Sequence, residues 1–384
     1  MVIYILNILL TVALTMLALK INNKKIRAIV ICLIILFPSI LAGIRYGIGN
    51  DYLGVYEPIF EGAKNKVYVN RNRNIELGYI AINNMVLLFN GEFPMVMFIC
   101  SLITNTFFIL GIFQYKEKIN VSIAVGIYML IYYQSTYNIV RQMMALSIIF
   151  WGYQFLNYDN GKKNAVIGIL KYSLCVIIAA TFQKSAIIMF SIIILNLICK
   201  QNKIKNLKYY IYIIVFIIVI NCDNIGNLLA SIPQLKYYAG YLQTPNGFCI
   251  SLGFLIRNIP LILPYFLIRK EIDSDNEFNL QCSIAFIGII LSLLAVLVPH
   301  YGERISIYFM VSQMILVPAY IETLRKMNKE ILKINTKKYF IVASIIFLCF
   351  YISEWYFEYC YMNRSETVPY QMIFQARTKE SINE

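Results

Sequence analysis

The sequence predicts an all-α, polytopic transmembrane helical bundle with about 12–13 hydrophobic segments, on three observations. Of the 384 residues, 59% are hydrophobic and only 14% charged, where a soluble globular domain carries roughly 25% charged residues. Apolar runs long enough to cross the hydrocarbon core, which takes about 20 helical residues, recur along nearly the whole chain. Lys and Arg crowd into the short loops between those runs, the signature of cytoplasmic connections. A transmembrane β-barrel would instead show short alternating strands.

Taken in order, the segments are 2–20, 27–44, 75–90, 93–113, 119–136, 138–156, 164–182, 185–199, 209–221, 251–268, 280–298, 305–323 and 339–356. The first, from Val2 to Leu19, has no basic leader and no small-residue cleavage site, so it reads as a retained span rather than a signal peptide. The basic loops are Lys24, Lys25 and Arg27; Lys162 and Lys163; Lys200, Lys203, Lys205 and Lys208; and Arg325, Lys326, Lys329, Lys333, Lys337 and Lys338. They account for much of the formal charge of +14 as topology determinants beside anionic lipid, so no nucleic-acid partner is expected.

With those loops inside, 45–74, 137–141, 183–185, 222–250, 299–304 and the tail 357–384 fall outside. One clash remains. If 75–90 crosses fully, Lys116 and Lys118 land on the outer side. That segment is short and carries Glu76, Asn83 and Asn84, so it reads as re-entrant or as lying at the outer interface, where irregular backbone needs protein or a wet cavity around it. The domain reading is one transmembrane domain, 1–356, with outer loops 45–74, 222–250 and 299–304, and a polar C-terminal tail, 357–384.

Nine cysteines are scattered without a CxxC pair. Cys32, Cys100, Cys175 and Cys349 lie in apolar runs and read as core filler, while Cys222 and Cys249 flank one outer loop and are candidates for a disulfide. One histidine and no ligand cluster give no basis for a structural zinc site. No metal or cofactor is expected.

The candidate site comes from cations on the wrong side. Arg45 ends the second span at the outer surface, and Arg141, Lys184 and Arg304 stand at outer helix starts. A cation at a helix N-terminus is unfavourable by a few tenths to about 1 kcal/mol, a placement that makes sense if an anion joins it there. Phosphate or pyrophosphate suits Arg's planar fork. The bland alternative is that each arginine snorkels to lipid headgroups. Carboxylates share the outer face: Asp51, Glu57, Glu61, Glu76 and Glu303. A glycosyl transfer needs one base for an acceptor hydroxyl, and Asp51, Glu303 and His300 are the candidates, with Glu303 equally able to pair with Arg304 or Arg45. Tyr46, Tyr52, Tyr56, Tyr68 and Tyr79 edge the first outer loop, either as an interfacial aromatic belt or as sugar-stacking platforms.

Five stretches, "GIRYGIGNDYLGVYEPIF", "IELGYIAINNMVLLF", "NIVRQMMALSIIFWGYQFL", "ATFQKSAIIMF" and "YGERISIYF", resemble in that order the EpsG family of Wzy-like polysaccharide and O-antigen polymerases, over roughly residues 40 to 325. The resemblance implies a glycosyltransferase of bacterial capsule or exopolysaccharide biosynthesis in the cytoplasmic membrane, with its active face extracytoplasmic. Its partners would be an undecaprenyl-pyrophosphate-linked oligosaccharide, membrane lipid and a chain-length co-polymerase. By motif, Arg45 and Asp51 match the family's first-loop pattern, Arg141 and Gln142 its Arg–Gln pair, and Arg304 its late arginine. The chain departs at Gln183, where the family commonly has histidine. Gln183 can hydrogen-bond sugar or phosphate but cannot titrate, which leaves the base to His300, Glu303 or Asp51. The expected mechanism has Arg45, Arg141, Gln142, Gln183, Lys184 and Arg304 binding the pyrophosphate. Two other readings stand beside it: an O-antigen-ligase-like glycan transferase, and a transporter of lipid-linked sugar. A transporter would hold its cations near the midplane in repeated broken helices.

Overall fold

A computed structural model of the chain describes residues 1–66, 75–157, 162–201, 206–231, 252–297, 299–331, 336–363 and 365–374. Among them are sixteen α-helices, shorter 3-10 and π-helical turns, and a single isolated bridge, Arg45 with Met372. The protein is a polytopic transmembrane helical bundle. Five helices are long and apolar enough to span: Val2–Lys20, Lys24–Ile44, Phe93–Phe113, Asn276–Leu294 and Ile341–Tyr361. Two further candidates are bent pairs, Leu207–Ile220 with Cys222–Leu228 at 69°, and Gly302–Met310 with Gln313–Lys326 at 43°. The helices gather into two compact units, Met1–Ile187 with Val342–Glu384, and Ile188–Ile341.

The first unit opens with α1 (Val2–Lys20) and α2 (Lys24–Ile44), packed on each other. Asn23 starts α2 by accepting the Lys25 and Ile26 amides on its side chain, which satisfies donors that a helix start leaves open. The first outer loop follows, with a π-helical turn at Tyr52–Tyr56 and then α3 (Glu57–Lys64). Helix α4 (Leu77–Leu88) has only 12 residues. At 1.5 Å per residue it spans about 18 Å, well short of a hydrocarbon core of about 30 Å, as expected for a segment that does not cross. Helix α5 (Phe93–Phe113) packs against α2 and α7 (Val140–Gly152).

Between α5 and α7 the path is irregular. Helix α6 (Val121–Ile127) widens into a π turn at Tyr128–Tyr132, tightens into a 3-10 turn at Gln134–Tyr137, and turns back into α7. This break is buried and its polar groups are satisfied. The Tyr133 hydroxyl donates to the Pro38 carbonyl at 2.7 Å, Gln134 Nε2 donates to Thr367 Oγ1 at 2.9 Å, and Asn138 Nδ2 donates to the Ser365 carbonyl at 3.2 Å. Helix α8 (Lys162–Ala180) completes the central set. The core under the first loop consists of Tyr52, Tyr56, Phe60, Tyr79, Phe93 and Met97 with their neighbours.

The second unit holds α9 (Ser191–Lys200), α10 (Leu207–Ile220), α11 (Cys222–Ala230), α12 (Leu252–Ser274), α13 (Asn276–Leu297), α14 (Pro299–Met310) and α15 (Gln313–Ile331). Helix α16 (Thr336–Trp355) leads back to the first unit from Val342 onward. A side chain on Gly288 would meet the Met310 backbone at 3.0 Å, which keeps α13 and α14 in close contact. Lys208, counted above among the loop charges, is buried. Its Nζ donates to Asp273 Oδ1 at 2.9 Å and to Asn279 Oδ1 at 2.6 Å.

Three side-chain expectations change. Cys100 and Cys175 are buried, but Cys32 and Cys349 face outward, where lipid accommodates a small apolar thiol as well as a core does. Cys222 is a free, buried thiol, and Cys249 lies outside the described residues. Within the polar tail, residues 365–374 pair with the first outer loop, as described below.

Candidate functional site

The site is built from the sequence "IELGY" upward. Glu76 precedes α4 and is 7% exposed. Gly78 follows it, and its amide donates to the Thr181 carbonyl at 2.7 Å. A Cβ there would stand 2.8 Å from the Phe182 ring and Thr181 Oγ1, so only glycine lets the start of α4 lie against the turn after α8. This contact places the Glu76 carboxylate between two donors. One oxygen takes a short, charge-assisted contact from the Arg141 guanidinium at the start of α7. The other accepts the Lys184 backbone amide at 3.2 Å. Arg141, Lys184 and Glu76, widely separated in sequence, thus meet at one place.

A cavity of about 360 Å³ opens beside them, lined by Glu76, Thr181 and Lys184 and by apolar Ile75, Leu77, Ile177 and Ala180. The Lys184 side chain is exposed and Gln183 is half-buried. Behind the cavity, the Tyr56 hydroxyl faces the side chain and backbone of Arg141. Burial raises the Tyr56 pKa; Arg141 opposes that rise, and Asp51, close enough to act electrostatically, adds to it. Tyr56 therefore stays protonated as a neutral neighbour of Arg141. Gln142, next to Arg141, is buried at 4% exposure.

Arg45 sits differently from the other cations. It is 1% exposed and does not line the cavity. Its guanidinium lies over the Tyr137 ring, 4.1 Å from the centroid, and Nη2 donates to the Tyr137 carbonyl at 3.1 Å and to Met97 Sδ at 3.4 Å. Tyr52 closes the other side, its ring centroid 5.6 Å away and its hydroxyl donating to the Arg45 carbonyl. The π turn Tyr52–Tyr56 thus holds Arg45 at one end and Arg141 at the other, in a backbone form often found at functional sites. The tyrosines read from sequence as belt or sugar platform are interior props: Tyr52, Tyr56 and Tyr79 are buried and Tyr46 is half-buried. Tyr68 lies outside the described residues.

The remaining candidates fall in the second unit. Arg304 and Glu303 are exposed on α14, and Glu303 Oε1 lies 3.8 Å from Arg257 Nη1. His300 belongs to the first turn of α14, but its side chain lies outside the described residues. Glu76 was not among the sequence candidates. The signal that could have found it is a carboxylate at the border of an otherwise apolar segment, since an ionisable group at membrane depth is a functional candidate. Among the described residues no cluster of three or more metal-ligating side chains occurs.

A charged, partly apolar cavity between the start of α4 and the end of α8 defines the class: a multi-pass membrane protein with a polar site among its helix ends. The model of the EpsG family matches residues 28–372, and the chain belongs to that family, which is related to the Wzy-like polymerases. No curated protein and no solved structure matches the chain.

Proposed function

We propose that the protein is a membrane polysaccharide polymerase. It transfers a growing glycan from undecaprenyl pyrophosphate to the lipid-linked oligosaccharide repeat unit, on the outer face of the bacterial cytoplasmic membrane. The observation that carries this reading is that Arg141 and the Lys184 amide both hold Glu76, which with Lys184 gives an otherwise apolar cavity its charged wall, in a chain of the EpsG family. The apolar wall suits the start of a polyprenyl chain and the charged wall suits its diphosphate.

In the reaction, the bond between the anomeric carbon and the diphosphate oxygen breaks while an acceptor hydroxyl oxygen bonds to that carbon. The hydroxyl proton passes to a base, and lipid diphosphate leaves. Fixed cations in a water-poor site can contribute several kcal/mol to such a departure. Arg141 and Lys184 grip the diphosphate, with Gln142 and Gln183 as polar neighbours, and Arg45 acts by setting the loop behind them. Arg304, the family's late arginine, is a further residue that the reaction needs. Asp51, Glu303 and His300 are the base candidates.

The test is replacement of the chromosomal gene by Arg141→Gln or Arg304→Gln, with membrane levels followed by immunoblot. Single repeat units on lipid are expected to accumulate while long-chain polymer falls below about 1% of wild type, the size of loss when a transition-state charge contact goes. Full-length polymer in both variants would overturn the assignment. Long chains that stay on their lipid carrier would point to a ligase instead.

A further inference from the structure

We propose that Glu76 is a built-in competitor for the anion site, a specificity-determining residue that only a multiply charged ligand displaces. The proposal rests on the reading of Arg141 as the diphosphate's partner and deepens it.

The two groups held by the Glu76 carboxylate are a guanidinium and a backbone amide, the donor types that hold phosphoryl oxygens elsewhere. The carboxylate is 7% exposed, and Arg141's side chain is 21% exposed beside it. The Gly78–Thr181 contact fixes Glu76 in place from the other side. Without ligand, the site is already occupied by an anion belonging to the chain. A ligand of lower charge, such as phosphate, exchanges one or two carboxylate-like contacts for others and gains little. A diphosphate brings more charge and more acceptor oxygens, reaches Arg141, the Lys184 amide and the exposed Lys184 ammonium together, and gains from the exchange. Glu76 thereby sets a charge threshold, and it returns to Arg141 when the lipid diphosphate product leaves.

Glu76→Gln isolates this role. The amide keeps the size of the side chain and an oxygen for the Lys184 N–H, but frees the charge of Arg141. The experiment titrates purified full-length protein in detergent with inorganic pyrophosphate and, separately, with inorganic phosphate, by calorimetry. Wild type is expected to bind pyrophosphate in preference to phosphate. Glu76→Gln is expected to bind both roughly ten-fold or more tightly, the scale of one charge-assisted contact, with the larger gain for phosphate, so that selectivity falls. The gain is expected to vanish in Glu76→Gln/Arg141→Gln. Equal or weaker binding by Glu76→Gln, or a gain that survives loss of Arg141, overturns the proposal. If Glu76→Gln does not fold, Glu76→Asp, which withdraws the charge by one methylene, is expected to show a smaller gain of the same sign, and no gain overturns the proposal equally. In membranes, Glu76→Gln is expected to lower kcat and KM together as product release slows, which a merely structural role would not do.

The two readings fail separately. If Arg141→Gln abolishes polymer but Glu76→Gln gains no anion affinity, Glu76 only positions Arg141 and this inference alone falls. If the affinity gain appears but Arg141→Gln cells still make full-length polymer, the anion site stands and its polymerase role falls.

Discussion

Arg45 and Glu76 show what one residue's surroundings decide. Both are polar groups at the border of apolar segments, and the sequence singles out Arg45 because it ends a span on the side that cations avoid. Burial cannot be read from that placement. Met97 and Tyr137, far along the chain, and the nearby Tyr52 ring enclose the guanidinium, and among the described residues no carboxylate pairs with it. An aromatic face and a carbonyl take the place of a counter-ion, an arrangement that depends on a flat, delocalised cation. Arg45→Lys is expected to lower stability by roughly 1–3 kcal/mol, because an ammonium neither stacks on Tyr137 nor spans to the carbonyl and sulfur at once. Thermal unfolding of the purified protein in detergent checks this. An unchanged midpoint would mean that the stacking on Tyr137 contributes nothing. Among five carboxylates on the outer face, nothing in the sequence singles out Glu76 as a site residue. What distinguishes it is the pair of donors brought to it by α7 and by the turn after α8, contacts spanning 65 and 108 residues.

At the scale of elements, apolar run lengths located nearly all the helices, and the 12-residue α4 was legible as non-crossing from the charge clash that a full crossing would create. The break between α6 and α7 was legible as a boundary, because the polar run Gln134, Ser135, Thr136 and Asn138 parts segments 119–136 and 138–156, but its burial was not. That run is tolerated inside because the C-terminal segment 365–374 takes up Gln134 and Asn138. That segment reads as a polar tail only because its partners lie more than 200 residues away. Thr367 accepts the Gln134 amide, and its carbonyl accepts the Tyr4 hydroxyl. The Glu366 and Gln371 carbonyls accept the Gly49 and Tyr46 amides, and the Tyr370 hydroxyl donates to the Leu41 carbonyl at 2.6 Å. Thr367→Val keeps the shape but strands the buried Gln134 Nε2, at an expected cost of about 1–3 kcal/mol. Tyr370→Phe removes a half-buried donor and is expected to cost about 1 kcal/mol. Thermal midpoints measured side by side check the order. If neither variant shifts, the segment does not brace the first loop.

Across the whole molecule, the sequence orients the chain by charge, and the structure supplies an independent constraint on that orientation. The Gly49 amide reaches the Glu366 carbonyl, and the Tyr46 amide that of Gln371, so the first outer loop and the C-terminal segment must occupy one side of the membrane. The positive-inside bias assigns that side as the outer one, since Lys24, Lys25 and Arg27 begin the helix that leads to Arg45. Single reporter cysteines in a cysteine-free background separate the two statements. Lys66→Cys and Glu366→Cys are expected to react with a membrane-impermeant maleimide on intact spheroplasts, and Lys24→Cys only after lysis. Reaction of Lys66→Cys and Glu366→Cys from opposite sides would contradict the packing of 365–374 on the first loop, whatever the orientation. Reaction of both from the inside alone would keep the fold and invert the protein, placing Arg141, Glu76 and Lys184 on the cytoplasmic face, where a polymerase drawing on exported lipid-linked units would not find its substrate.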